Sequence, residues 1–217
     1  MGDSPLTYAY AYLTPAEVRF LDAAVEVLIP TDELGPGGRD AGCSCYIDRQ
    51  LSSPWGSHGR NYRSGPWPEG TPEQGFQSRF TPAEIYRIAI REITDYCVAK
   101  FERPFDQLAP ARQEEVLKAL EKNEIELPSL PSKLFFDMLW RSTEEGFFAD
   151  PMYGGNRDKV GWKLIGFPGI PSGHYKERYS SGEIYRAEPV SILDHQTGKV
   201  AYDANGFAKH TLIQGGK

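Results

Sequence analysis

Residues 14–30 read TPAEVRFLDAAVEVLIP and carry the clearest helix signal in the chain. Thr14 supplies a hydroxyl for the N-cap, Pro15 suits the first helical position, and Glu17 completes a capping box. Pro30 stops the helix because proline has no backbone N–H to donate. Between these ends, apolar residues recur at helical spacing, which predicts a core helix. They are Val18, Leu21, Val25, Leu28 and Ile29.

The same start recurs at Thr81-Pro82-Ala83-Glu84, and apolar residues keep helical spacing behind it to about Phe101. Strand alternation is nearly absent before Gly169. We therefore predict an all-α fold. Similar reasoning predicts three more helical segments, roughly Ala41 to Leu51, Pro110 to Lys122 and Pro131 to Glu145.

Two long segments interrupt or follow these helices. Residues 52–79 form a loop rich in proline and glycine, which excludes a regular element. Its aromatic residues argue against simple disorder, and a loop of this length is usually functional. They are Trp55, Tyr62, Trp67 and Phe76. We predict a small helical core domain over residues 1–169, with this loop inserted at about 52–79.

Residues 170–217 show little apolar periodicity and are predicted to form an irregular, extended C-terminal arm that orders against a partner. Its aromatic residues, among turn residues, are Tyr175, Tyr179, Tyr185, Tyr202 and Phe207. A short hairpin is compatible with the arm, with strands near 190–193 and 200–202 and a turn at 194–199.

The formal net charge of -6 and the pI near 5.3 argue against nucleic-acid binding, which needs a basic face. The apolar stretches are far shorter than the roughly 20 residues of a membrane span. Met1 to Pro5 lack the charged and apolar regions of an export signal. These features predict either a cytosolic protein or a mature chain whose leader was removed.

The residues that usually carry chemistry form no recognisable site. Cys43 and Cys45 would need two further ligands for a metal, and the four histidines form no His-x-x-His or Glu-x-x-His cluster. A disulfide from Cys97 to Cys43 or Cys45 is permitted in an oxidising compartment, and free buried thiols are the alternative. The chain also lacks a nucleophile elbow and a nucleotide-binding loop. We expect no catalytic, cofactor-binding or metal-ligating residue.

Residues 145–169, which we name the signature segment, read EGFFADPMYGGNRDKVGWKLIGFPG. Their aromatic side chains follow no helical or strand period, so they cannot all enter one small core. Aromatic residues and arginine are enriched at interface hot spots. The segment therefore predicts a partner interface, with a core role as the alternative. The predicted interface residues are Phe147, Phe148, Tyr153, Gly154, Gly155, Asn156, Arg157, Trp162 and Phe167.

The signature segment resembles that of the gluconate 2-dehydrogenase subunit 3 family, the small non-flavin subunits of membrane-associated flavoprotein dehydrogenases. This resemblance implies an all-helical periplasmic subunit with a twin-arginine (Tat) export leader and no active site. It also implies an FAD-containing catalytic partner and a multihaem cytochrome c that passes electrons to quinone. The subunit would support export, assembly and stability of the catalytic partner, and would meet the membrane only through the complex.

A free-standing carbohydrate-binding or glycoside-processing protein is the alternative from a different class. In that interpretation Trp55, Trp67 and Trp162 stack on sugar rings beside paired carboxylates. It requires a concave pocket in which two acids converge.

Overall fold

The computed structural model describes residues 9–59, 64–68, 70–75, 77–170 and 185–213. Within these residues the regular structure consists of α-helices and short 3₁₀ turns, with β pairing confined to isolated bridges. The all-α prediction is confirmed. The helices are α1 Pro15–Leu28, α2 Cys43–Leu51, α3 Pro82–Phe101, α4 Pro110–Glu121, α5 Ser132–Phe148, α6 Val160–Ile165 and α7 Ile192–Gln196.

Both predicted capping boxes are formed. The Thr14 hydroxyl accepts a hydrogen bond from the Glu17 N–H at 3.4 Å, and the Glu17 carboxylate accepts from the Thr14 N–H at 2.7 Å. Thr81 and Glu84 repeat this arrangement at the start of α3, with distances of 3.2 and 2.8 Å. These reciprocal bonds satisfy backbone donors that a helix start otherwise leaves unpaired.

Helix α5 lies at the centre of the helical core and packs against α1, α2, α3 and α4. An aromatic cluster fills this centre. Phe135 of α5 meets Tyr86 of α3 edge-on at 5.4 Å, and Phe20 of α1 lies 4.7 Å from Phe105 in the connection before α4. All four side chains are fully buried, so they join α1, α3 and α5 in one core.

A buried aspartate ties the segment before α1 to α2. Asp48 is fully buried, and its carboxylate accepts hydrogen bonds from the backbone N–H groups of Ala11, Tyr12 and Leu13 at 2.8–2.9 Å. Arg87 of α3 holds the same segment by donating to the Tyr12 carbonyl at 2.9 Å. Charge-assisted bonds of this kind are among the stronger hydrogen bonds in proteins. Residues 11–13 are therefore an integral part of the fold.

The predicted helix boundaries near the signature segment need one correction. Helix α5 was predicted to end at about Glu145, but it continues to Phe148, because Phe147 still faces the core with 3% of its surface exposed. Phe147 and Phe148 thus belong to the last turn of a helix. The non-periodic part of the segment starts at Ala149.

The predicted hairpin in the C-terminal arm is wrong. Residues 192–196 form helix α7, because Ser191 caps the helix and Asp194 completes a capping box. Isolated bridges join Gly169 to Val190, Ala187 to Leu212 and Tyr202 to Ala208. The first of these bridges joins residues 185–213 to the signature segment, and the other two lie within residues 185–213. The division of the chain at residue 169 stays a prediction.

The inserted loop is described only in part. Trp55 and Trp67 lie on the surface with 43% and 36% exposure. The Gly56 carbonyl accepts a hydrogen bond from the Ala83 N–H at 3.0 Å, which ties the loop to the first turn of α3. The predicted loop aromatics Tyr62 and Phe76, and the arm aromatics Tyr175 and Tyr179, lie outside the described residues.

Candidate functional site

A single buried side chain organises the turn between α5 and α6. Asn156 is fully buried. Its Nδ2 donates to the carbonyl of Ala149 at 2.8 Å, and its Oδ1 accepts from the backbone N–H of Gly161 at 2.9 Å. One amide therefore joins the end of α5 to the first turn of α6. This use of donor and acceptor together fits asparagine, since an aspartate would lack the donor.

The backbone around Asn156 adopts conformations that side chains rarely tolerate. Asn156, Asp158 and Lys159 have φ angles of 46°, 56° and 59°. A non-glycine residue in this left-handed region is uncommon and persists only when its surroundings hold it there. The Arg157 N–H donates to the carbonyl of Ala41 at 2.9 Å and supplies one such restraint. The connection between the helices is a constrained structure and not a spacer.

The glycines of the segment permit close approach of backbones. A Cβ at Gly155 would overlap the carbonyl of Gly146 in α5, and a Cβ at Gly161 would overlap the carbonyl of Phe147. Only glycine fits at such contacts. The turn can therefore lie directly on α5.

Trp162 is turned inward. Its side chain is 6% exposed, and its Nε1–H donates to the carbonyl of Phe148 at 2.7 Å. The indole also meets the ring of Phe167 edge-on at 5.1 Å. The structure thus uses Trp162, like Phe147, within the chain, which favours the core role for these two predicted interface residues. Asn156 and Gly155 are buried as well.

Three predicted interface aromatics remain on the surface, and we name Phe148, Tyr153 and Phe167 the aromatic face. Their exposed fractions are 40%, 47% and 44%. Phe148 and Tyr153 line one open groove. Phe167 lies outside this groove and packs edge-on against Trp162, which donates to the backbone carbonyl of Phe148. Burial is the main reason why the pKa of Tyr46 in this groove is raised to about 12, and the nearby Glu145 carboxylate adds to the shift. Tyr46 is therefore neutral and donates to Glu145 at 3.2 Å.

Gly154 and Arg157, two further predicted interface residues, follow Tyr153 in the sequence. Arg157 is exposed, and Gly154 has a φ of 104° that ends the 3₁₀ turn Pro151–Tyr153. Arg49 of α2 donates to the carbonyl of Met152 at 2.6 Å, and this bond restrains the turn. The turn thereby presents Tyr153 on a restrained backbone.

A second apolar surface was not predicted from the sequence. A groove lies between residues 28–36 and helix α6, and Phe147 forms part of its floor. The exposed fractions of Leu34, Leu164 and Ile165 beside it are 71%, 48% and 60%. Its residues come from distant parts of the chain, so no local sequence pattern reports it.

The three cysteines are free and buried. Burial raises the pKa of the Cys43 thiol to about 12 and that of Cys97 to about 11, and burial also raises the pKa of Cys45. The thiolate is the reactive form of cysteine. Burial therefore disfavours the reactive form at all three positions, and the structure has free buried thiols in place of the disulfide that the sequence permits.

We expect a thiol reagent at pH 8 to label Cys43 and Cys97 in the native chain at least on the order of a hundredfold more slowly than in the unfolded chain, because burial raises the pKa of their thiols to about 12 and about 11. The measurement is mass spectrometry of alkylated protein over time. Chain unfolded in denaturant without reductant is the control and should label at all three cysteines. Fewer than three labels in that control would reveal a disulfide.

The described residues offer little support for a cofactor, a metal or a sugar. Among them, no group of three or more His, Cys, Asp and Glu side chains is arranged to hold a metal ion. Trp162 is buried and cannot stack on a sugar ring. Trp55 and Trp67 lie outside both grooves described above. Neither of these two grooves combines a tryptophan with paired carboxylates, so within them the carbohydrate-binding alternative finds no support.

No helix within the described residues is both long and apolar enough to cross a membrane.

Comparison with known proteins gives one match. The family model described as Gluconate 2-dehydrogenase subunit 3 matches residues 15–169, which run from the start of α1 to the end of the signature segment. No curated protein and no solved structure matches the chain.

Proposed function

This chain belongs to the gluconate 2-dehydrogenase subunit 3 family, as a small subunit of a dehydrogenase complex, and we propose that it binds and stabilises an FAD-containing catalytic subunit. In this proposal the chain has no active site of its own. The complex oxidises a sugar acid of the gluconate type, and a multihaem cytochrome c accepts the electrons. The chain works in the periplasm, and its own leader carries the folded catalytic partner through twin-arginine export.

The family match supports this function, and the aromatic face suggests where the partner binds. Phe148, Tyr153 and Phe167 are exposed, yet the backbone that carries them is held by buried contacts of Asn156 and Trp162. Aromatic side chains on a rigid backbone lose little entropy on binding, so they are effective anchors at interfaces. The matched residues include the whole aromatic face.

The proposed partner also accounts for the polar rim of this surface. The charged Glu145 lines the groove beside Phe148 and Tyr153, and the rims of protein interfaces are commonly polar. A permanent interface buries about 2,000 Å² or more in total, which exceeds what three side chains provide. The groove between residues 28–36 and α6 supplies further apolar area within the same matched region.

The proposal is tested by expressing the chain together with an FAD-containing dehydrogenase subunit of the same organism and purifying through a tag on this chain. We expect the flavin absorbance and sugar-acid oxidation to follow the complex, and the chain alone to carry neither. A chain that binds flavin by itself, or that retrieves no flavoprotein, would contradict the proposed function.

Tyr153→Ala should weaken this complex by about 2 kcal/mol or more, because the side chain is exposed on a restrained turn where an anchor is expected. The melting temperature of the free subunit should change little. The measurements are binding affinity for the catalytic subunit and thermal unfolding of the lone chain. Val98→Ala is the matched control, since Val98 is 47% exposed on α3, outside the signature segment. Equal affinity for both variants would exclude Tyr153 as an anchor.

A further inference from the structure

Val190, which follows the signature segment in the sequence, pairs with the backbone at the end of that segment. Val190 lies alongside residues 168–170 as a parallel bridge: the Ile170 N–H donates to the Val190 carbonyl at 2.8 Å, and the Val190 N–H donates to the Pro168 carbonyl at 3.0 Å. Gly169 has a φ of 77°, and a Cβ there would overlap the Val190 carbonyl. The backbone at 168–170 is thus shaped to receive an extended strand.

Two charged side chains of the signature segment, Asp150 and Lys159, bind Ile192 and Asp194. The Asp150 carboxylate accepts from the Ile192 N–H at 2.6 Å through Oδ2, while its Oδ1 accepts from Met152 within its own turn at 3.0 Å. The Lys159 ammonium donates to Asp194 Oδ2 at 2.9 Å. Asp194 also completes the cap of α7 through Ser191, whose side chain is almost fully buried.

We propose that Asp150, Lys159 and the backbone of residues 168–170 form a peptide-binding site, which binds residues 190–194 of the same chain. The ligand class is an extended residue followed by a helix start of the form Ser-x-x-Asp. The extended residue pairs with the backbone, the first helical N–H meets Asp150, and the aspartate of the cap meets Lys159. Asp150 also lines the groove of Phe148 and Tyr153, so this site adjoins the aromatic face, but it does not depend on the proposed dehydrogenase partner.

The contacts indicate a reversible site and not a part of the core. Ile192 and Leu193 remain 37% and 38% exposed, so burial of these apolar side chains contributes little to holding α7. Hydrogen bonds and one ion pair hold it instead, and each such bond contributes only about 0.5–3 kcal/mol net. The receiving residues lie within the matched family region, whereas the bound residues lie after its end at residue 169.

The test compares Ile192→Pro with Ile192→Ala in the full chain. Both remove the side chain, but only proline removes the N–H that binds Asp150. Proline is tolerated at a first helical position, and Ser191 before it is already extended at φ -97° and ψ 163°. Hydrogen exchange over residues 185–198 should become roughly tenfold or more faster in Ile192→Pro, given the loss of a bond to a charged group. Ile192→Ala should differ from the unmodified chain by less than about threefold, because it keeps the bond.

Binding in trans provides the second measurement. A labelled peptide of residues 185–198 should bind the Ile192→Pro chain roughly tenfold more tightly than the unmodified chain, because residues 190–194 of the variant compete less strongly for the site. Asp194→Ala in the peptide alone should weaken this binding by roughly tenfold, since it removes the ion-pair partner of Lys159. Unchanged exchange in α3 shows that the variant chain is folded. The proposal is overturned if both Ile192 variants exchange alike, or if the loss of the Asp194 carboxylate leaves peptide binding unchanged. Neither measurement involves a dehydrogenase, so the result is separate from that of the proposed function.

Discussion

Trp162→Ala is expected to lower the free energy of unfolding of the isolated subunit by about 3–5 kcal/mol, the usual cost of truncating a buried tryptophan. The indole is 6% exposed, lies against Phe167, and donates to the Phe148 carbonyl. Its removal leaves a cavity between the end of α5 and helix α6. It also leaves a carbonyl at the helix end without its partner. Urea unfolding followed by circular dichroism measures the change.

Two further variants separate the causes. Trp162→Phe keeps most of the volume but removes the N–H, and should cost about 1–3 kcal/mol for the unpaired carbonyl. Trp140→Ala is the matched control: Trp140 lies on α5 and is 41% exposed, so its loss should cost much less. If Trp162→Ala left the free subunit stable and abolished only its assembly, the assignment of Trp162 to the core would be wrong. That outcome would make Trp162 an interface anchor, as the aromatic pattern of the segment first indicated.

The sequence predicted those elements whose signal is local. Thr14 with Glu17, and Thr81 with Glu84, define helix starts within four residues, and both are formed. The same rule would have found α7 from Ser191 and Asp194. The apolar run 190–193 favoured a strand there because a short apolar run does not distinguish a strand from a helix.

The candidate site was predictable in position but not in orientation. The unusual composition of residues 145–169 indicated a constrained segment, and the left-handed backbone at Asn156, Asp158 and Lys159 agrees with it. Which aromatic side chains face inward depends on where α5 ends and how α6 crosses it. Both depend on tertiary packing, so the sequence did not predict that Trp162 is buried and Phe167 exposed. The groove beside α6 depends on contacts between distant residues for the same reason.

The role of Asp48 also depends on tertiary contacts that the sequence does not predict. The residue lies inside α2, where an aspartate is ordinarily a solvated surface residue. Only the fold brings residues 11–13 to its carboxylate, more than thirty positions away in the chain. No cap pattern marks it in the sequence, and the adjacent Arg49 donates elsewhere, to the Met152 carbonyl. Its burial becomes understandable only when the three backbone donors are counted, because they replace the water that the carboxylate loses.

Asp48→Ala should therefore destabilise the subunit by about 3 kcal/mol or more, since three backbone N–H groups lose a charged acceptor at about 1–3 kcal/mol each. Asp48→Asn keeps the shape and one acceptor oxygen, and should cost roughly half as much by the same reasoning. Asp40→Ala, at an exposed position shortly before α2, is the control and should change stability by less than about 0.5 kcal/mol.

Equilibrium urea unfolding gives the three free energies, and hydrogen exchange adds a local measurement. The amide protons of Ala11, Tyr12 and Leu13 should lose protection in Asp48→Ala before the amides of α3 and α5 do, because the carboxylate is their acceptor. A loss of stability without faster exchange at these three amides would show that Asp48 acts through α2 itself. Faster exchange confined to them would establish that the carboxylate fastens the segment before α1 to the helical core.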